Sequence, residues 1–455
     1  LGMRLKSRTI SYPRQLMLGA IQDNRLIYEM GKAIANDCKR LGIHVNFAPV
    51  VDVNNNAKNP VINTRSFGED RYNVAAKGYM YMKGMQDNGI IASAKHFPGH
   101  GDTDVDSHYD LPIIPHDMKR LDSIELFPFQ VLIDQGIGSV MVAHLHVPEI
   151  DNTPNFPTTL SRNAITDLLK DKMNFEGLIV TDALEMQGVA KHHKQGEVEA
   201  KALVAGNDLL LLPGDLGNAR RTIKEFMNSG KLDSMQVFES VKKALFWKYK
   251  IGLTKVEPIK MDNLYEDLNS NKSKALKRKL IENALTLVRN EDNIVPFEGL
   301  EDFELASLSI GSKTRTTFQN TLSKYKKIAH FNTGKEISGS KQKDLLEIFE
   351  NKDAVIISTH DMSAYASRKF GLSESTKQFI HEVQKVTEVI LVIFGNPYSL
   401  KDFDRIECVL NAYDEDEMTQ DLAAQALFGV FGIRGRLPVT ASEKAVFGQG
   451  ITTKK

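Results

Sequence analysis

The chain has 455 residues, 42% of them hydrophobic and 25% charged, which is material for more than one sizeable core. Its 58 basic and 58 acidic side chains cancel, and that balance argues against nonspecific nucleic-acid binding. The longest apolar runs, DLLLLP at 208–213 and VILVIFG at 389–395, are strand-sized and fall short of the roughly 20 residues of a membrane span. The basic run KALKRK at 274–279 has a helical pattern and reads as a solvated face. With only two cysteines, Cys38 and Cys408, a disulfide framework and a cysteine-rich zinc site are excluded; the pair allows one disulfide but reads as two buried thiols.

Residues 1–255 alternate short apolar strands with amphipathic helices. Strands are expected over 44–53, 89–97, 137–147, 175–184 and 206–213, with helices such as 23–41 and 72–88 between them. Continuous apolar strands in this rhythm predict a parallel sheet covered by helices. Asp52, Lys95, His96, His144 and Asp182 all fall at C-terminal strand ends. A (β/α) barrel carries its active site on that face, so the first 255 residues read as a TIM-type barrel domain. Residues 256–275 are charged and turn-rich and read as a linker. From 276 to 455 a second α/β pattern follows, with strands expected over 284–290, 303–311, 328–332, 354–360, 388–395 and 407–413. It predicts an αβα three-layer sandwich. That domain offers no catalytic motif: His360 and Asp361 end a strand, Asp414–Glu417 is acidic, and all read as ordinary loop residues.

The densest chemistry lies in KHFPGHGDTDVDSH, residues 95–108. Pro98, Gly99 and Gly101 forbid a helix, so this is a loop leaving a strand. Asp102, Asp104 and Asp106 match the opening of a calcium loop, but Ser107 and Ile113 stand where that motif needs Gly and Glu. His96 and His100 are four apart, yet Pro98 removes the helix that would aim both at one zinc. No metal or cofactor is expected. Acid–base chemistry fits better: in extended chain Asp106 and His108 point to the same side, and a carboxylate fixes the tautomer of an adjacent imidazole. Such a pair can give a proton to a leaving group and later take one from water.

As a whole string, KHFPGHGDTDVDSHYDLP resembles the signature of the glycoside hydrolase family 3 β-N-acetylglucosaminidases, the NagZ-like group in its two-domain form. NPVINTRSFGED (59–70), GLIVTDALEM (177–186) and ALFGVFGIRGRLPVT (426–440) resemble further segments of that family. The resemblance implies that Asp182 is the nucleophile, that His108 is the general acid/base and that Asp106 orients it. It further implies that Arg65, Lys95, His96 and Arg4 bind sugar hydroxyls and that His144 lines the pocket. Asp52 is read as holding the loop. The implied activity is retaining exo-hydrolysis of terminal β-linked GlcNAc, from peptidoglycan fragments or chitooligosaccharides. Two alternatives accompany it. One is a phosphorylase, since a neutral imidazole repels an anionic acceptor less than a carboxylate does. The other is a non-catalytic sugar-binding fragment, since the family's barrel has eight strands and five are legible here. About 80 residues of barrel, at the length typical of such units, are expected to precede Leu1. Export of many two-domain relatives implies a periplasmic or cell-envelope location.

Overall fold

The computed structural model describes residues 8–104, 110–191, 196–255, 257–299 and 303–454. They form two compact units of α/β architecture. One comprises residues 8–11 and Asn24–Ser273, the other Tyr12–Asp23 and residues 274–454. Residues 12–23, assigned by sequence to the first unit, thus pack with the second. The reason is apolar: Leu16 buries against Phe370, Tyr398 and Val439.

The first unit holds a parallel sheet of four strands in sequence order, β1 (Val45–Asn46), β2 (Ile91–Phe97), β3 (Ser139–Val142) and β4 (Leu178–Thr181). Every residue of β3 and β4 is buried, as a sheet covered on both faces requires. Two of the expected strands are shorter than their apolar runs. The 44–53 run forms a ladder only at 45–46, with one further bridge from Val50 to Lys95. Pro49, which has no N–H to donate, lies between them. The 206–213 run makes a single bridge, Leu209 to Val180, before Leu212 turns into the left-handed region at φ 47°.

Helices Arg25–Arg40 and Arg71–Gln86 cross closely in this unit. Ile27, Met30, Ile34 and Cys38 form the buried stripe of the first, at the spacing of one helix face. The second begins at Asp70, whose side chain accepts from Asn73 N at 2.8 Å. At the crossing, a Cβ on Gly84 would lie 2.2 Å from Tyr28 O, so only glycine lets the backbones meet. Residues 257–270, read as linker, include the helix Leu264–Leu268, and Arg40 ties this stretch down through Asp267 (2.7 Å) and the Asp262 carbonyl (2.7 Å).

The second unit is built on a six-stranded mixed sheet. Its strands are β5 (Thr286–Asn290), β6 (Leu305–Ile310), β7 (Ala329–Thr333), β8 (Ala354–Thr359), β9 (Glu388–Ile393) and β10 (Cys408–Asn411). Spatial order is β5-β10-β9-β8-β6-β7, parallel except where β5 runs antiparallel to β10. All six fall within the expected runs to within a residue. Their apolar side chains, with Phe349, Phe379 and Phe403 from flanking helices, make one continuous core.

Candidate active site

Register assembles the site. Phe97 pairs with Val142 and Val142 with Thr181, while Val50 bridges to Lys95. Residues 52, 95–96, 144 and 182 therefore leave the same C-terminal edge of the sheet. Asp182 continues the ladder by donating its N–H to Val142 O at 2.9 Å.

Asp52 is the hub. It is fully buried, and its carboxylate accepts from His96 N (3.1 Å), His100 N (2.7 Å) and His96 Nδ1 (2.8 Å). Burial works against its ionisation, but His96 and His100 outweigh that and hold the carboxyl below its ordinary range. On its other side, the His96 ring meets Arg65 Nη2 through Nε2 at 3.0 Å. A guanidinium has donors only, so Nε2 accepts and the single ring proton sits on Nδ1, facing Asp52. His96 is thus a neutral imidazole in one fixed tautomer. Burial lowers its pKa, Arg65 and Lys95 act in the same direction, and Asp52 opposes them without prevailing. Lys95 is half-buried and held by its backbone, donating to Pro49 O (3.2 Å) and accepting from Val51 N (2.8 Å).

Asp182 is half-buried, and its Oδ1 accepts from Ala183 N at 2.9 Å. Burial would raise its pKa; His96, His144, the Ala183 N–H and Lys95 together bring it below the ordinary carboxylate value. His144 sits behind it, 1% exposed. Its Nε2 donates to Ala183 O at 3.0 Å and its Nδ1 lies 2.7 Å from Thr159 Oγ1. It thereby holds the residue after Asp182 in place.

Arg65, Lys95, His96, His144 and Asp182 are therefore gathered at one edge. Asp106, His108 and Arg4 lie outside the described residues.

Asn59 escaped the reading of residue types. Its amide donates to His100 O (2.8 Å) and Gly101 O (3.0 Å), while its Oδ1 accepts from Val61 N (2.9 Å) and Ile62 N (2.8 Å). It staples the loop carrying Arg65 to the loop leaving β2. The Asn-Pro pair at 59–60, a turn signal, marked the position. Gly101 lets the β2 loop seat: a Cβ there would lie 1.9 Å from Val53 O. The edge so formed offers an ionised, half-exposed carboxylate beside a cation, a guanidinium and a locked imidazole. That set can attack an electrophilic carbon and grip hydroxyl groups around it.

Residues 1–246 match the glycosyl hydrolase family 3 N-terminal domain. The chain is 32% identical over 314 residues to the β-hexosaminidase A of Pseudoalteromonas piscicida, covering 64% of this chain and 52% of that protein. It is 25% identical over 433 residues to a β-N-acetylglucosaminidase/β-glucosidase of Cellulomonas fimi, covering 90% of this chain and 76% of that one. The chain thus spans about half the length of the first of these relatives. Among solved structures it resembles a glycoside hydrolase family 3 β-N-acetylglucosaminidase from Paenibacillus sp. str. FPU-7, with a TM-score of 0.81 and 28% identity. That likeness covers 97% of this chain and 84% of the other. With more than half of its length matched by the family's domain, the chain belongs to glycosyl hydrolase family 3.

Proposed function

We propose that this chain carries the catalytic site of a retaining exo-β-N-acetylglucosaminidase, with Asp182 as nucleophile. The observation that carries the reading is Asp182 itself: a half-buried carboxylate, kept ionised, on the edge that also presents Lys95, His96 and Arg65. The family's membership and the relatives' activities support it.

In this reading Asp182 attacks the anomeric carbon and displaces the leaving-group oxygen, which takes a proton from His108. Water then attacks the glycosyl-enzyme ester at the anomeric carbon, giving its proton to His108 and releasing Asp182. Asp106 holds the His108 imidazole. Arg65, Lys95 and His96 bind sugar hydroxyls, the neutral His96 accepting one at Nε2 in place of the Arg65 N–H while its Nδ1–H stays on Asp52. Arg4 completes the sugar-binding set, and His144 supports the Asp182 loop. GlcNAc-terminated glycans, peptidoglycan fragments or chitooligosaccharides, are the substrates.

The same proposal takes the β1–β4 sheet as an arc of a TIM-type barrel and the second unit as a three-layer sandwich. Helix Ser234–Lys250 exposes Phe238, Val241, Leu245 and Tyr249 by 52–72%, a stripe of the kind a barrel helix presents to its neighbour.

Release of the aryl group from an aryl β-N-acetylglucosaminide tests the function. Turnover that is independent of inorganic phosphate and lost in Asp182→Ala is expected. A folded wild-type chain without turnover, or turnover that requires phosphate, would overturn it.

A further inference from the structure

The second unit has a crevice of its own. Its strand order places β8 and β7 on opposite sides of β6. The chain therefore leaves β6 toward one side and β8 toward the other, and the two exits diverge. In open α/β sheets, ligands bind outside the C-terminal strand ends at such a point. A cavity of about 340 Å³ lies there, lined among others by Thr314, Arg315, His360, Asp361, Glu417 and Gln420. That volume falls within the range of small-molecule sites, about 300–1,000 Å³.

Its wall contains a buried histidine whose hydrogen bonding is incomplete. His360 is only 4% exposed. Its ring stacks on Phe394 at 5.0 Å, and its Nε2 meets Ser358 Oγ at 3.0 Å. Nδ1 has no hydrogen-bond partner among the described residues. Burial lowers the imidazole to about 4, so it is neutral at ordinary pH and can accept or donate a single proton. Behind it runs a chain of buried hydroxyls: Ser358 Oγ to Ser309 Oγ at 2.9 Å, then Thr316 Oγ1 at 3.4 Å. A core of this kind costs stability relative to apolar packing, and such departures concentrate at functional sites. The exits after β6 and β8 also touch: a Cβ on Gly311 would stand 2.2 Å from His360 O.

The lining selects the ligand by its charges. Arg315, Glu417 and Glu415 line it together, Glu415 accepting from Asp361 N at 2.6 Å, while the Asp361 carboxylate is paired with Lys335 at 2.8 Å. An anion would meet the glutamates, and a cation would meet Arg315. Hydroxyl groups both donate and accept, so they suit the Glu417 carboxylate, the N–H groups that Arg315 has left after donating to Ser323 Oγ, and the His360 imidazole together, while the Gln420 amide is held within the protein by Phe318 N (3.2 Å) and Glu415 O (2.7 Å). We propose that the second unit binds a neutral sugar of one or two rings in this crevice.

Calorimetric titration of the full chain tests this, in an Asp182→Asn background so that nothing turns over. The probes are GlcNAc, glucose, galactose, xylose and N,N′-diacetylchitobiose, each at millimolar concentration, with inorganic phosphate and magnesium as ionic controls. Arg315 and Glu417 are exposed, so replacing both by Ala leaves the fold intact. At least one sugar is expected to show a binding event that weakens about tenfold or more in Arg315→Ala/Glu417→Ala and persists in Arg65→Ala. If no sugar shows an event with that pattern, or if phosphate or magnesium alone binds in a way the double variant abolishes, the proposal fails.

Discussion

The two sheets end differently at their C-terminal edges. The β1–β4 edge is organised by a charge: Asp52, fully buried, collects three donors and fixes both the β2 loop and the His96 tautomer. The β6–β8 edge is organised by hydroxyls: Ser309, Ser358 and Thr316 relay from His360 without any buried charge. Charge-assisted bonds are short, strong and intolerant of movement. Hydroxyls rotate to suit a partner. The first arrangement suits bond-making at one set position, and the second suits reversible binding of a polar ligand. The same α/β recipe thus gives a rigid edge where the ladders are short and an adaptable one where they are long.

The largest effect expected is on chemistry. Asp182→Asn should lower aryl-glycoside turnover roughly 10³-fold or more while leaving the thermal midpoint unchanged. Activity that survives would remove the rigid edge's assigned purpose.

Next comes the contrast in stability. Asp52→Ala leaves two backbone N–H groups and an imidazole N–H without their acceptor, for a cost of about 3 kcal/mol. Ser309→Ala at the other edge removes neutral hydroxyl contacts and should cost about 1 kcal/mol. Urea denaturation of both variants checks the ranking, and equal losses would erase the distinction. Asn59→Ala should fall between them, at about 2 kcal/mol, and should lower kcat through loss of the Arg65 loop's anchor.

The smallest effect is one the two edges share. His100 and His360 are both pushed down to about 4 by burial. Unfolded, each takes up a proton near pH 6.5. Between these values the unfolded chain holds more protons, so stability is complete above about pH 6.5 and is lost as pH falls toward about 4. Thermal midpoints measured across that window should drop, with a shallower slope in His360→Gln. A flat profile would mean that neither imidazole is buried neutral. For turnover, the Asp182 carboxyl lies below its ordinary value, so the acid limb of kcat/KM should fall below the ordinary carboxylate range.

Much of this was legible in the residues. Alternation of apolar runs with helical stretches marked all six strands of the second sheet, because long ladders need long apolar runs. It overstated the first sheet, where Pro49 interrupts one ladder and Leu212 turns the chain out of another. Placement at strand ends singled out Asp52, Lys95, His96, His144 and Asp182, since the end of an apolar run is a sequence-local property. Hydrogen bonds across loops are not. Asn59 is distant in sequence from His100, and only the folded backbone shows that its amide spans the two loops. The His360 crevice was invisible for the same reason: the exits after β6 and β8 meet only through strand order.

The central claim is that Asp182 forms a bond to the anomeric carbon. Incubating the full chain with a 5-fluoro-β-N-acetylglucosaminyl fluoride and mapping the product by peptide mass spectrometry tests it most directly. The prediction is a single glycosyl adduct on Asp182, slow to hydrolyse and absent from Asp182→Asn. An adduct on another residue, or consumption of the reagent with no adduct formed, would contradict it.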